Sequence, residues 1–243
     1  MNAIKGLILA GGTGSRLFPL TKVTNKHLLP VGQKPMIVHT IDRLRQADIR
    51  QIMIVTGVEH MDTVVKLLGS GREYDCEFTY RVQDEAGGIA QAIGLAANFV
   101  HKDRVVVILG DNIFQDSIRP YVQRFRQQKA GAKILLKEVR DPQRFGVAEL
   151  RNGKVVGIEE KPRKPKSHHA VTGIYMYDSQ VFDVIRTLKP SARGELEVTD
   201  VNNAYIRKRQ LTYDVLRGWW TDAGTFESYK LANELMFAHE FKV

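Results

Sequence analysis

Short apolar runs bounded by polar turns recur along the first half of the chain, at residues 4–10, 52–56, 78–82, 105–109 and 133–139. Runs of this length, rich in Val and Ile, have the size of buried strands. Between the first four, and before the fifth, apolar residues recur three or four positions apart instead, the period of a helix that buries one face. The clearest case follows Lys34. Pro35 suits a first helical turn, and Met36, Ile37, Thr40, Ile41, Leu44 and Ala47 fall on one side, which should pack on a sheet. Further helices are predicted near 60–68, 89–99, 118–128 and 225–238. Alternation of this kind predicts an α/β fold, Rossmann-like, with a mixed but mostly parallel central sheet flanked by helices.

Beyond Arg144 the pattern changes to short strands, FGVAEL, KVVGIEE and VTGIYMYD, with Asn152-Gly153 as a hairpin turn. These read as a small mixed-sheet substrate-binding subdomain. No linker or repeat divides the chain, so residues 1–243 are expected to form a single domain. Within it a first part is expected over about 1–140, a second over about 141–225 and a C-terminal helix over about 225–240. In open α/β sheets ligands sit beyond the carboxyl ends of the strands, so the loops after Ala10, Val82 and Leu109 should converge on one crevice.

Composition narrows the setting. Hydrophobic residues at 43% and charged residues at 26% are those of an ordinary globular protein. A single cysteine, Cys76, rules out an internal disulfide and points to a reducing, cytoplasmic location. The apolar stretch at the N-terminus is about half as long as a membrane span and runs into glycines, so no membrane association is expected. A net charge of +9 admits anionic partners. The basic residues are scattered without aromatic interleaving, which favours phosphorylated small molecules over nucleic acid.

The candidate chemistry lies in the loops. After the first strand come Gly11, Gly12, Thr13, Gly14, Ser15 and Arg16, a turn whose glycines allow successive N–H groups to aim at a phosphate. It is neither a P-loop nor a dinucleotide fingerprint, since no Gly-Lys-Ser/Thr follows and Leu17 occupies the place of the third glycine. On its own such a loop could equally be a structural turn. Lys26, in Asn25-Lys26-His27-Leu28-Leu29-Pro30, adds a second cation beside Arg16. Asp111 follows a strand directly, and Asp222 sits in a glycine-bounded turn, so either could hold a metal or merely cap its turn.

Together LAGGTGSRLFPLT and NKHLLPVGQKPMI resemble the signature of the sugar-nucleotide pyrophosphorylases, and specifically their glucose-1-phosphate thymidylyltransferase branch in its short form. GGIAQA, LGDNIF, RFGVAE, EEKP, VTGIYMYD, RGELEVTD and WWTDAGT extend the resemblance over essentially the whole chain. It implies the nucleotide-diphospho-sugar transferase fold, with nucleotide bound by the part over about 1–140 and sugar by that over about 141–225. The implied reaction converts dTTP and glucose 1-phosphate to dTDP-glucose and pyrophosphate, with Mg²⁺ held by Asp111 and Asp222.

By the same resemblance Arg16, Lys26, Asp111, Lys161 and Asp222 form the catalytic set. Gly11 to Arg16, Gln83, Gly88 and Asp111 would hold the nucleotide, with Gln83 and Gly88 on the base. Gly146, Glu160, Lys161, Val171 and Thr172 would hold the sugar phosphate. Homo-oligomerisation is implied as a family habit. His27 stands where many longer thymidylyltransferases carry glutamine. Two alternatives stay open: a sister enzyme using UTP or another sugar 1-phosphate, and a noncatalytic sugar-nucleotide sensor.

Overall fold

The computed structural model describes residues 3–240; residues 1, 2 and 241–243 of the expected domain lie outside them. The first half runs β1 (Ile4–Ala10), β2 (Pro30–Val31), β3 (Lys34–Pro35), α1 (Met36–Gln46), β4 (Gln51–Gly57), α2 (Met61–Leu68), β5 (Glu77–Gln83), α3 (Ile89–Gly94), α4 (Ala97–Val100), β6 (Arg104–Leu109), β7 (Asn112–Phe114), α5 (Arg119–Gln127) and β8 (Ala132–Glu138). The second half runs β9 (Gly146–Arg151), β10 (Lys154–Glu160), β11 (His169–Tyr177), α6 (Val181–Thr187), α7 (Val198–Arg207), β12 (Leu211–Val215), β13 (Trp220–Asp222) and α8 (Phe226–Glu240).

One sheet of nine strands carries the fold, in the order β10-β9-β11-β6-β1-β4-β5, with β8 also beside β11 and β12 beside β8. Strands β6, β1, β4 and β5 are mutually parallel, as the strand–helix alternation predicts. Alternate residues of each strand face opposite layers. Ile8, Ile52, Ile54, Val106 and Ile108 pack with Ile37, Ile41 and Leu44 of α1 and Val64 of α2. Leu7, Leu9, Val55, Val105 and Val107 pack against Ala90 and Ile93 of α3, Val184 of α6 and Val201 of α7. Every residue of the predicted face of α1 is buried. A third cluster seats α8, through Ala232, on Leu17, Val31, Met36 and Ile113.

The structure refines three expectations. The helix predicted over 89–99 breaks after Gly94 into α3 and α4. Helices α6 and α7 occupy 181–207, where no element was predicted; their apolar spacing is helical, but α6 is only seven residues long. The strands of the second half do not form a separate sheet. β11 lies between β6 and β8, and β9 and β10 extend from it. Asn152 and Gly153 both take positive φ, 48° and 69°, as the tight β9–β10 hairpin requires.

Candidate active site

A cleft of about 440 Å³ opens at the carboxyl ends of β1, β5 and β6 and continues across β9, β10 and β11. At its centre lie two carboxylates delivered by one small ribbon. Asp111 immediately precedes β7 and Asp222 ends β13, which pairs antiparallel with β7 so that Asp222 faces Asn112. The Ala223 N–H donates to the Asp111 carbonyl at 2.7 Å. Asn112, 2% exposed, ties the ribbon to the main sheet: its Oδ1 accepts from the Gly173 N–H at 2.8 Å and Trp220 Nε1–H at 2.7 Å, and its Nδ2 donates to Asp111 Oδ1 at 3.0 Å.

Gly224 marks where the charged groups meet. A Cβ placed on it would lie 3.4 Å from an Arg16 guanidinium nitrogen, 3.5 Å from Asp222 Oδ2 and 3.6 Å from Asp111 Oδ2. Both carboxylates and Arg16 therefore surround one small space. Lys26 Nζ pairs with Asp111 Oδ2 at 2.5 Å, both side chains largely buried. The lysine is aimed by its neighbours, since Asn25 Nδ2 donates to the Ala10 carbonyl at the end of β1 and Asn25 Oδ1 accepts the His27 N–H.

The two carboxyls titrate apart. Burial alone would raise Asp111, but the Lys26 ammonium and the hydrogen bonds from Lys26 and Asn112 outweigh it, so the group stays ionised well below the usual carboxylate range. Asp222 is pushed up to about 6 by burial and then by the charge of Asp111, only partly relieved by Arg144 and Arg16. His27 is pushed down to about 3 by burial and by Lys26, and it is neutral beside them. A divalent cation at Gly224 would relieve the repulsion that holds Asp222 high. No third acidic, His or Cys ligand joins this pair among the described residues. Two carboxylates with the remaining positions open suit a hard cation that shares its shell with phosphate oxygens.

At one end of the cleft Gln83 closes β5 beside Gly11 and Gly88. At the other, Glu160 Oε2 accepts from Thr199 Oγ1 at 2.8 Å, and a Cβ on Gly146 would stand 3.2 Å from that same oxygen, so the glycine leaves the carboxylate room. Lys161 takes φ 45°, an uncommon conformation for a residue with a Cβ, and its N–H is held by the Phe145 carbonyl at 3.0 Å.

Gly11, Gly12, Arg16, Lys26, Gln83, Gly88, Asp111, Gly146, Glu160, Lys161, Val171 and Asp222 all line this cleft. Thr13, Gly14 and Ser15 do not; Gly14 instead accepts from Thr21 Oγ1 at 2.7 Å, which folds this part of the loop back on itself. Thr172 also turns away. It is fully buried and its hydroxyl donates to the Leu135 carbonyl, because side chains alternate along β11 and Val171 and Gly173 take the cleft side. Sequence reasoning missed Arg144, which reaches both Asp141 and Asp222, and Arg193, paired with Glu197 at 2.8 and 2.9 Å. Both stand in motifs quoted for the resemblance, RFGVAE and RGELEVTD, and that was their available signal.

Residues 5–238 match the Nucleotidyl transferase family model. A glucose-1-phosphate thymidylyltransferase of Neisseria meningitidis is 43% identical over 229 residues, covering 93% of this chain and 80% of that protein. The enzyme of the same name from Mycolicibacterium smegmatis is 42% identical, covering 98% and 84%. A solved structure from Bacillus anthracis, proposed as a glucose-1-phosphate thymidylyltransferase and determined in complex with a sucrose, superposes with a TM-score of 0.93 at 65% identity, covering 96% of this chain and 95% of that one.

Proposed function

The chain belongs to the nucleotidyl transferase family, and from that premise we propose that it transfers the thymidylyl group of dTTP to α-D-glucose 1-phosphate, giving dTDP-glucose and pyrophosphate. The observation that carries this reading is the order of groups along one cleft: the Gln83 amide at one end, Glu160 and Lys161 at the other, and the Arg16, Asp111 and Asp222 cluster between them. A nucleoside triphosphate and a sugar phosphate laid along that line would bring their phosphates together at the charged centre.

In the proposed reaction a phosphate oxygen of glucose 1-phosphate attacks the α-phosphorus. The bond from that phosphorus to the β-phosphate oxygen breaks, and pyrophosphate leaves in line. The attacking oxygen is already anionic, so no general base is needed and the work is positioning and charge neutralisation. Arg16 is placed to neutralise the departing pyrophosphate. Lys161 orients the sugar phosphate, and Glu160, held by Thr199, accepts from sugar hydroxyls. Lys26 keeps Asp111 ionised and lends its charge to the reacting phosphates. Asp111 and Asp222 would hold Mg²⁺, which when bound supplies Lewis-acid stabilisation of charge on the phosphate oxygens.

Uracil and thymine share the imide edge that Gln83 would meet, so dTTP and UTP differ here only in the 5-methyl group and the ribose 2′ position. Pyrophosphate release with glucose 1-phosphate and Mg²⁺, compared across dTTP, UTP, CTP, GTP and ATP with an EDTA control, tests the proposal. Highest turnover with dTTP, abolished by EDTA, is expected. A higher rate with UTP would move the assignment to the sister activity, and no release with any triphosphate or sugar phosphate would leave the sensor reading.

A further inference from the structure

Gln83 has one acceptor and two donors on its side chain, and both donors are used inside the protein. Its Nε2 donates to the Gly88 carbonyl at 3.3 Å and to Gln91 Oε1 at 2.6 Å. The Gly88 carbonyl can only accept, so it fixes which way the amide points. The shorter bond, to Gln91, is the one that holds it there. Oε1 is then turned to the other side, against Gly11, where a Cβ on that glycine would stand 3.1 Å from it. Gln91 is itself seated by Gly87: a Cβ on Gly87 would lie 2.3 Å from the Gln91 side-chain amide, so only a glycine lets that amide lie flat on the loop.

We propose that Gln91 is a specificity-determining positioning residue, which locks the Gln83 amide with its carbonyl oxygen toward the base. The inference rests on the base-reading role proposed above for Gln83. A locked acceptor takes a base that carries hydrogen on N3, as thymine and uracil do. Cytosine presents a bare N3 acceptor at the same point, and to bind it Gln83 must turn over, which sets its oxygen against the Gly88 carbonyl and keeps the bond to Gln91 only if that amide turns over as well. Polar groups left unmatched in this partly buried pocket discriminate more strongly than shape does. Without Gln91 only the long bond to Gly88 opposes that rotation.

The test compares kcat/KM for dTTP with that for dCTP, by pyrophosphate release with glucose 1-phosphate and Mg²⁺, in the wild type, Gln91→Leu and Gln91→Glu. Leucine keeps the bulk and removes the acceptor. Glutamate restores an acceptor for the Gln83 donors, and its added charge acts on both triphosphates alike and cancels in the ratio. The dTTP/dCTP ratio is expected to fall about tenfold in Gln91→Leu, mainly through a higher KM for dTTP, and to stay within threefold of wild type in Gln91→Glu. A fall of less than threefold in Gln91→Leu, or an equal fall in both variants, overturns the proposal. If Gln91→Leu does not fold, Gly87→Ala must reproduce the loss, because its new Cβ displaces the Gln91 amide; an unchanged ratio there overturns it equally. A wild type that does not prefer thymine or uracil triphosphates over dCTP would remove the base-reading role itself, whereas an intact preference insensitive to residue 91 would remove only the lock.

Discussion

Asp222 is asked to be two things at once. Burial, and after it the charge of Asp111 that it faces, push its carboxyl up to about 6 in the cation-free protein, while the same pair of carboxylates suits a cation. A carboxyl raised on folding is neutral in both states below about pH 4, where it costs nothing. Its ionisation begins to penalise the folded state as pH rises through the window from 4 to 6, and the penalty is complete above it. Asp222→Asn is therefore expected to stabilise the metal-free protein at pH 7 by about 3 kcal/mol, an advantage that is largely lost by pH 4. Its turnover should fall about a hundredfold, the usual loss when a charge-stabilising group is removed. Thermal melts in EDTA at the two pH values, beside pyrophosphate-release rates, check both halves; a variant less stable than wild type at pH 7 would contradict the cost assigned to the buried, repelled charge. Asp111 shows how legible a residue can be, because a carboxylate directly after a buried strand points into the crevice wherever that sheet forms. The Thr172 side chain points away from the cleft that Val171 and Gly173 line, because along a strand one position is the opposite face.

At the scale of elements, the site depends on how the β7–β13 ribbon is fastened to the sheet. Asn112 does this through the Gly173 N–H of β11, while its bonds to Trp220 and Asp111 hold the ribbon itself together. Asn112→Leu leaves the Gly173 N–H and the Trp220 indole N–H buried without acceptors, and is expected to cost about 3 kcal/mol of stability. It should also lower kcat, because both carboxylates hang from the ribbon it anchors. Urea titration and kinetics would establish this, and wild-type stability would show that the ribbon is held by packing alone. The predicted face of α1 and the β9–β10 hairpin were readable because each follows from neighbours in sequence: a 3.6-residue period and an Asn-Gly turn. Strands β7, β12 and β13 were not predicted, since three to five residues carry too little pattern to stand out.

At the scale of the whole molecule, the two halves of the chain share one sheet. Strand β11, from the second half of the chain, sits between β6 and β8 of the first half, pairing Tyr175 with both Val107 and Ile134. A fragment of residues 1–140 lacks that strand and exposes the β6 and β8 edges that it joins. We expect the fragment to show no cooperative thermal transition by circular dichroism; a sharp transition would mean that the first half folds alone. Charge also acts at this scale. Arg16, Lys26, Arg144, Lys161 and Arg193 line one cleft together with Asp111, Glu160, Glu195, Glu197 and Asp222, so its charges balance and the net +9 of the chain lies outside it. No helix among the described residues is long and apolar enough to cross a membrane.

By itself the sequence determined the parallel half of the sheet, the glycine loop at its mouth and the acidic and basic residues that follow its strands. These follow from short-range rules, because periodicity, turn chemistry and strand ends are written in adjacent residues. Only the tertiary structure decided that Asp111 and Asp222, 111 positions apart in the chain, share one space beside Gly224, that Arg144 and Arg193 join them in the cleft, and that Gln91 grips Gln83. The reason is that electrostatic repulsion, a carbonyl's fixed polarity and the insertion of β11 depend on distances through space, and residue spacing along a chain does not specify them.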